Sequence, residues 1–143
     1  MSLQLSTSEL QTAQDLLRDY GPAQPGIASL TQHNGDLEIS LEELVVEAAG
    51  TAVYGDARKK LRQVFMRNLR REICGDEGLL SKVEEYNKGP GKAVALTGLI
   101  VYVIDLVTFP VNPAIATVVV LWLLKVGIRT FCDYTEPDEG MEL

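Results

Sequence analysis

Hydrophobic positions recur at steps of three and four residues over much of residues 1–88, which is the spacing of one helix face. Ser6 and Glu9 have the separation of a capping box, so we predict a helix that begins there and ends near Gly21. Three more amphipathic helices are predicted, beginning at Ser40, at Asp56 and near Glu77. The pattern predicts a mainly α fold with an amphipathic helical N-terminal domain.

The Asn34-Gly35 pair interrupts this pattern. Asn-Gly is favoured in a type I′ turn because both central residues of that turn need a positive φ. Leu37, Ile39 and Leu41 alternate with polar residues after the pair, so a short β-hairpin is predicted near residues 27–40. The residues before the pair alternate poorly, and an irregular loop is the alternative.

After the Gly-Pro-Gly junction at residues 89–91 the chain becomes apolar on every side, from Ala93 to Phe131. Two apolar runs, residues 93–109 and 114–131, are separated by a Pro-Val-Asn-Pro turn. Proline disfavours the helical conformation in the residue before it and suits the first position of a helix. The turn therefore predicts an apolar two-helix hairpin. Two buried strands of an α/β sheet are the alternative, although the runs are longer than most strands.

The hairpin is expected to cross a membrane twice. Helices of 17 and 18 residues span about 25 to 27 Å, slightly less than a hydrocarbon core of about 30 Å. Positive residues lie at the outer ends of both runs and none lies in the turn, so both termini are expected to be cytoplasmic, at an inner or cell membrane. Asp105 and Lys125 would then be intramembrane charges that reach towards water. The alternative is a cytoplasmic protein in which the hairpin is a buried core.

These patterns divide the chain into four parts. Residues 1–88 form the predicted cytoplasmic helical domain, residues 89–92 a linker, and residues 93–131 the hairpin. Residues 132–143 are acidic and contain a proline, which predicts a solvated tail.

The net charge of −7 is distributed unevenly along the chain. Residues 1–50 carry eight acidic residues and one basic one, whereas residues 51–92 carry ten basic and six acidic ones. An acidic total disfavours general nucleic-acid binding. The helix predicted after Asp56 forms an ordinary solvated surface, lies on an anionic membrane, or binds an acidic partner or nucleic acid. The acidic face around Glu42 could equally dock against this basic helix, within one chain or between copies. Its candidate contact residues are Arg58, Lys59, Arg62, Arg67, Arg70 and Arg71.

The residues predict no catalytic, cofactor or metal site. His33 is the only histidine, and its place beside Asn34 predicts a solvated turn residue. The acidic run from Asp36 to Glu47 could supply carboxylates to a metal ion, but a solvated helix face is the simpler interpretation. Cys74 and Cys132 are too few for a disulfide framework, and two reduced thiols are predicted. The alternative is a disulfide between them, which requires that the fold bring the end of one helix close to the end of another.

The leading hypothesis is a small non-enzymatic membrane protein, an effector or accessory subunit. Its cytoplasmic domain would mediate association, and its hairpin would anchor in or perturb the bilayer. The expected partners are lipid, further copies of the chain and a protein partner, with no nucleic acid, small-molecule substrate or cofactor. The second hypothesis is a soluble helical interaction protein, an obligate oligomer with the hairpin as its buried core. An enzyme comes last because the sequence offers neither an activated nucleophile nor a ligand set.

Overall fold

The computed structural model of the chain describes residues 3–50, 56–89, 91–109 and 111–134. The predicted fold class is confirmed, because these described residues form eight α-helices and no β-strand. The helices are α1 (Thr7–Leu16), α2 (Gln24–Gln32), α3 (Leu37–Ala49), α4 (Asp56–Ile73), α5 (Glu77–Lys88), α6 (Lys92–Leu106), α7 (Pro113–Val126) and α8 (Ile128–Tyr134). A short 3₁₀ helix, Gly21–Ala23, lies between α1 and α2.

Helix α7 lies at the centre of the fold. All ten residues from Ala114 to Leu123 are buried, and every one except Thr117 is apolar. The hydroxyl of Thr117 donates a hydrogen bond to the carbonyl oxygen of Pro113 at 2.7 Å, so this buried polar group is satisfied. Helices α2, α3, α6 and α8 pack against α7. A helix that is apolar on every side must be covered, and here other helices of the same chain cover it.

Gly26 allows α2 to approach α7 closely. A Cβ atom on Gly26 would lie 2.7 Å from the carbonyl oxygen of Ala114 and 3.2 Å from the Cβ atom of Thr117. Only a residue without a side chain fits at such a separation. Ile27 and Leu30, on the same helix, are buried beside this contact. The first half of the chain therefore packs directly on the apolar hairpin.

The predicted β-hairpin near residues 27–40 is wrong. Asn34 and Gly35 do have positive φ angles, of 56° and 86°, but they join α2 to α3. Helical spacing prevails on both sides of the pair because it buries the apolar side chains of both helices against α7. The N-terminal residues lie along this turn, where Leu5 donates a backbone hydrogen bond to Gly35 at 2.9 Å.

The start of α1 agrees with the sequence, whereas the start of α3 does not. Ser6 and Glu9 form the predicted capping box, with both of its hydrogen bonds present. Helix α3 begins three residues before the predicted Ser40, because the carboxylate of Asp36 accepts a hydrogen bond from the backbone of Ile39 and caps the helix. Ser40 is instead buried inside the helix.

The two helices of the hairpin are shorter than the apolar runs of sequence from which they were predicted. Helix α6 has 15 residues and α7 has 14, which gives lengths of about 22 and 21 Å. Helix α7 stops where Gly127 has a φ of 87°, and the rest of the second run forms the separate helix α8. Among the described residues, no helix is both long enough and apolar enough to cross a membrane. The prediction of a transmembrane helical hairpin is therefore wrong.

The prediction of two reduced thiols is also wrong. Cys74 and Cys132 form a disulfide, with their Cα atoms 6.0 Å apart. Cys74 follows the last residue of α4, and Cys132 lies in α8. Phe131, the neighbour of Cys132, packs edge-to-face on Trp122 of α7, with the ring centroids 5.7 Å apart. The disulfide and this aromatic pair attach α8 to both α4 and α7.

Two predicted boundaries lie near the limits of the described residues. Gly89 and Gly91 connect α5 to α6 at the predicted linker, while Pro90 is outside the described residues. Residues 135–143, which make up most of the predicted acidic tail, are outside them as well. The division of the chain into domains stays a prediction.

Candidate interaction surface

The basic helix α4 packs on the acidic helix α3. Arg58 Nε lies 3.8 Å from one carboxylate oxygen of Glu42, and Arg62 Nη1 lies 3.9 Å from the other. The two helices pack against each other. Of the two arrangements left open by the sequence, docking between these elements occurs within one chain. Glu42 therefore neutralises part of the basic surface.

The other basic candidates on α4 divide into two groups. Arg70 Nε donates a hydrogen bond to the carbonyl oxygen of Cys132 at 2.9 Å, so this side chain holds α8. Lys59, Arg67 and Arg71 are exposed. A role of α4 in binding a partner stays a prediction, and three of its six candidate residues make contacts within the fold.

The two charges predicted to lie inside a membrane have different surroundings. Lys125 Nζ lies 2.7 Å from a carboxylate oxygen of Glu9, so the end of α7 is paired with α1. The hydrogen bond from Lys125 lowers the pKa of Glu9 below its ordinary value, and the backbone hydrogen bond from Ser6 acts in the same direction. Asp105 is exposed on α6. Their predicted intramembrane position depended on transmembrane helices, so it fails with that prediction.

The Glu9–Lys125 pair borders a cavity between α1 and the ends of α6 and α7. The cavity has a volume of about 220 Å³ and is mainly apolar, with Leu16, Leu96 and Leu121 among its lining residues. Its polar groups include Glu9 and Lys125, which already bond to each other. The cavity is therefore mainly apolar, and the charges of Glu9 and Lys125 at its edge are already paired with each other.

His33 and the acidic run hold the ends of two helices. His33 Nε2 lies 2.7 Å from a carboxylate oxygen of Glu43, so the histidine is half-buried and paired rather than solvated. Asp36 caps α3, and Glu42 pairs with α4. Within the described ranges, no three acidic, histidine or cysteine side chains form a group that could hold a metal ion. The contacts of these carboxylates are those of structural residues.

Helix α6 presents an apolar face to solvent. Val94 is 80% exposed and Val101 is 41% exposed, which makes them two of the four large apolar residues of the described chain that remain exposed. Gly98 lies between them on the same face, because residues three and four apart in a helix are neighbours. A Cβ atom on Gly98 would meet no atom within 4 Å. Packing within the chain therefore does not require a glycine at this position.

Helix α5 forms the second wall of a groove beside this face. Lys82 and Glu85 line the groove on the α5 side, and Val94, Ala95 and Gly98 line it on the α6 side. The groove encloses about 330 Å³. It therefore combines an apolar floor with one positive and one negative side chain on a single wall.

The pairing of α5 with α6 is fixed at the end of the groove by Tyr102. Its hydroxyl donates a 2.6 Å hydrogen bond to Asp76, whose carboxylate also caps α5 by accepting from the backbone of Leu79. The bond to this carboxylate raises the pKa of Tyr102. A Cβ atom on Gly78 would collide with the same hydroxyl. Residues 76–78 thus lie beside residue 102, which makes the two helices antiparallel.

The sequence does not single out this face. Residues 93–109 are apolar on nearly every side, so periodicity could not tell which side of α6 other helices cover. The one signal in the sequence was a glycine between two valines at helical spacing, Val94, Gly98 and Val101. This spacing indicates an exposed face only once it is known that α5 and α7 cover the other sides of α6.

No protein-family model matches the chain, and no curated protein or solved structure matches it either. The geometry of the surface is therefore the basis on which a function can be argued.

Proposed function

We propose that the protein is a non-enzymatic helical interaction protein that associates through the surface formed by α5 and α6. The observation that carries this proposal is the exposure of Val94 and Val101 on either side of Gly98. Burial of a valine side chain contributes about 1.5 kcal/mol or more, so these side chains favour a complex in which they are covered. The groove beside them gives a partner a shaped surface with two charged side chains for orientation.

In this proposal the hairpin is the core of the fold and also supplies its binding face. Helix α7 is covered within one chain, so association is not needed to complete the core. The proposal therefore replaces an obligate oligomer with folded chains that associate reversibly. An exposed patch of two valines is small, and we expect an affinity in the micromolar range, about −8 kcal/mol.

The test is the molar mass of the full chain measured by light scattering across a range of concentrations. We expect the mass to rise above that of one chain as concentration increases, and Val101→Arg to abolish this rise. Ile39→Arg is the matched control, because Ile39 has a similar exposure, 44%, but lies on α3. A mass of 15.7 kDa at every concentration would refute self-association, and equal effects of both variants would remove α6 from the interface.

A further inference from the structure

We propose that the partner bound by the α5–α6 surface is a second copy of this chain, placed antiparallel about a two-fold axis that passes at Gly98. This inference rests on the proposed function, since it assumes that copies of the chain associate through this surface, and it adds the symmetry and the geometry of the assembly. A symmetric dimer is the commonest soluble assembly, and its interface uses the same patch on both chains.

The apolar residues of α6 are arranged symmetrically about Gly98. In an antiparallel pair of α6 helices centred there, Val94 of one copy lies beside Val101 of the other, and the reverse contact forms at the same time. Glycine at the axis lets the two backbones come close because it has no side chain. Nothing in its own chain lies within 4 Å of a Cβ at that position, so the helix is open to a second copy there. Each copy thus covers the two apolar side chains that the other leaves exposed.

The charges on α5 are complementary in the same arrangement. Because residues 76–78 lie beside residue 102, the antiparallel pairing of α5 and α6 places residues 82–85 beside the centre of the α6 face. The two-fold axis keeps both α5 helices on one side of the α6 pair. Lys82 and Glu85 are one helical turn apart, so near the axis Lys82 of one copy is within reach of Glu85 of the other. Two identical opposite-charge pairs result.

A parallel arrangement of the same faces lacks this complementarity. An axis along α6 would place the two α5 helices on opposite sides of the α6 pair. Lys82 and Glu85 would then have no counterpart, so the charges favour the antiparallel arrangement. Asp105, exposed on the same face, also fits, because the antiparallel pairing brings it to the N-terminal end of the other α6, where a negative charge is favourable.

Charge reversal gives a test specific to this geometry. Lys82→Glu makes both charges of the α5 wall acidic and Glu85→Lys makes both basic, so each variant should weaken its own dimer at least about fivefold. Mixed in equal amounts, the two variants form a heterodimer in which an acidic wall meets a basic one. We expect light scattering to show the dimer restored in the mixture.

A crosslink tests the position of the axis independently of the charges. A residue on a two-fold axis lies beside its own copy, so Gly98→Cys should give a dimer on a non-reducing gel under mild oxidation. Gln32→Cys, exposed on α2, is the matched control and should stay monomeric. The introduced thiol has room in the folded monomer, because a Cβ atom on Gly98 meets no atom within 4 Å.

The outcomes separate this inference from the proposed function. If the wild-type chain stays monomeric, both fail. If it associates but the mixture does not restore the dimer and Gly98→Cys does not crosslink, self-association stands and the antiparallel arrangement is overturned. If the wild-type chain is a dimer, the mixture recovers it and the cysteine crosslinks, the arrangement is supported.

Discussion

Lys125 Nζ lies 2.7 Å from Oε1 of Glu9, although the two residues are 116 positions apart in the chain. Glu9 also accepts the hydrogen bond that closes the capping box at the start of α1. One carboxylate thus caps the first helix and attaches it to the end of the central one. Lys125, which the sequence analysis predicted to be an intramembrane charge, instead joins two helices of the fold.

Glu9→Gln should weaken this contact while an amide oxygen can still complete the capping box. We expect a loss of about 0.2 to 1 kcal/mol in the free energy of unfolding at neutral pH, because the pair is exposed. The folded-state pKa of Glu9 is depressed, so its contribution is present above pH 4.5 and is lost as pH falls through the lowered value. Urea unfolding at acid and neutral pH measures this difference.

The matched control is Glu47→Gln, an exposed carboxylate on α3. The wild type and the control should lose stability on acidification by more than Glu9→Gln does. An identical loss in all three proteins would show that the Glu9–Lys125 pair contributes nothing to stability.

The same substitution at two valines of the hairpin should change the stability of the protein by very different amounts. Val119→Arg places a charge without a partner inside α7, where Val119 is fully buried, and should cost more than about 4 kcal/mol. Val101→Arg lies on the exposed face and should change the stability of the monomer by no more than about 0.5 kcal/mol. Thermal unfolding at low protein concentration checks both values. Equal losses would contradict the burial of α7 or the exposure of α6.

The close approach at Gly26 predicts that Gly26→Ala destabilises the protein. Alanine normally stabilises a helix interior by about 0.5 to 1 kcal/mol relative to glycine. Here the added Cβ would meet the backbone of Ala114, which cannot move alone, so we expect a net loss of about 1 to 3 kcal/mol. Ala28→Gly is the matched control: residue 28 is exposed on the same helix, so this variant measures the loss of stability from the lower helix propensity of glycine alone. A stabilising Gly26→Ala would contradict the α2–α7 packing.

Reduction of the Cys74–Cys132 disulfide should lower stability substantially. The bond joins residues 58 positions apart, and closing a loop of that length contributes about 4 kcal/mol in the chain-entropy treatment. We expect Cys74→Ser to lose a similar amount and to change the fluorescence of Trp122, which packs on Phe131 beside the second cysteine. Two reactive thiols in the unreduced, denatured protein would contradict this disulfide.

Local signals predicted the starts of α1 and α5, but not the start of α3, which the neighbouring Asp36 sets. The capping box at Ser6 and the start of α5 near Glu77 are set by side chains within one turn, and both are present. Gly75, just past the end of α4, has a positive φ, which is the conformation that glycine commonly adopts after the last residue of a helix. Such features could be predicted because the residues that determine them lie next to each other in the sequence.

Features that depend on distant contacts could not be predicted in this way. The Asn34-Gly35 pair has the backbone angles of its preferred turn, yet packing on α7 makes the flanking segments helical. The disulfide joins the ends of two helices whose meeting depends on the whole fold. The candidate surface needed the same knowledge, because Val94 and Val101 differ from the buried valines of α7 only in which neighbours cover them.

Hydrogen exchange of the backbone amides at low and high protein concentration tests the central claim most directly. We predict that amides of α7 exchange most slowly at both concentrations, because this helix is the covered core. Peptides that contain residues 82–101 should become more protected at the higher concentration, and peptides from α3 should not change. Fast exchange in α7, or protection in residues 82–101 that does not depend on concentration, would contradict a helical core that associates through α5 and α6.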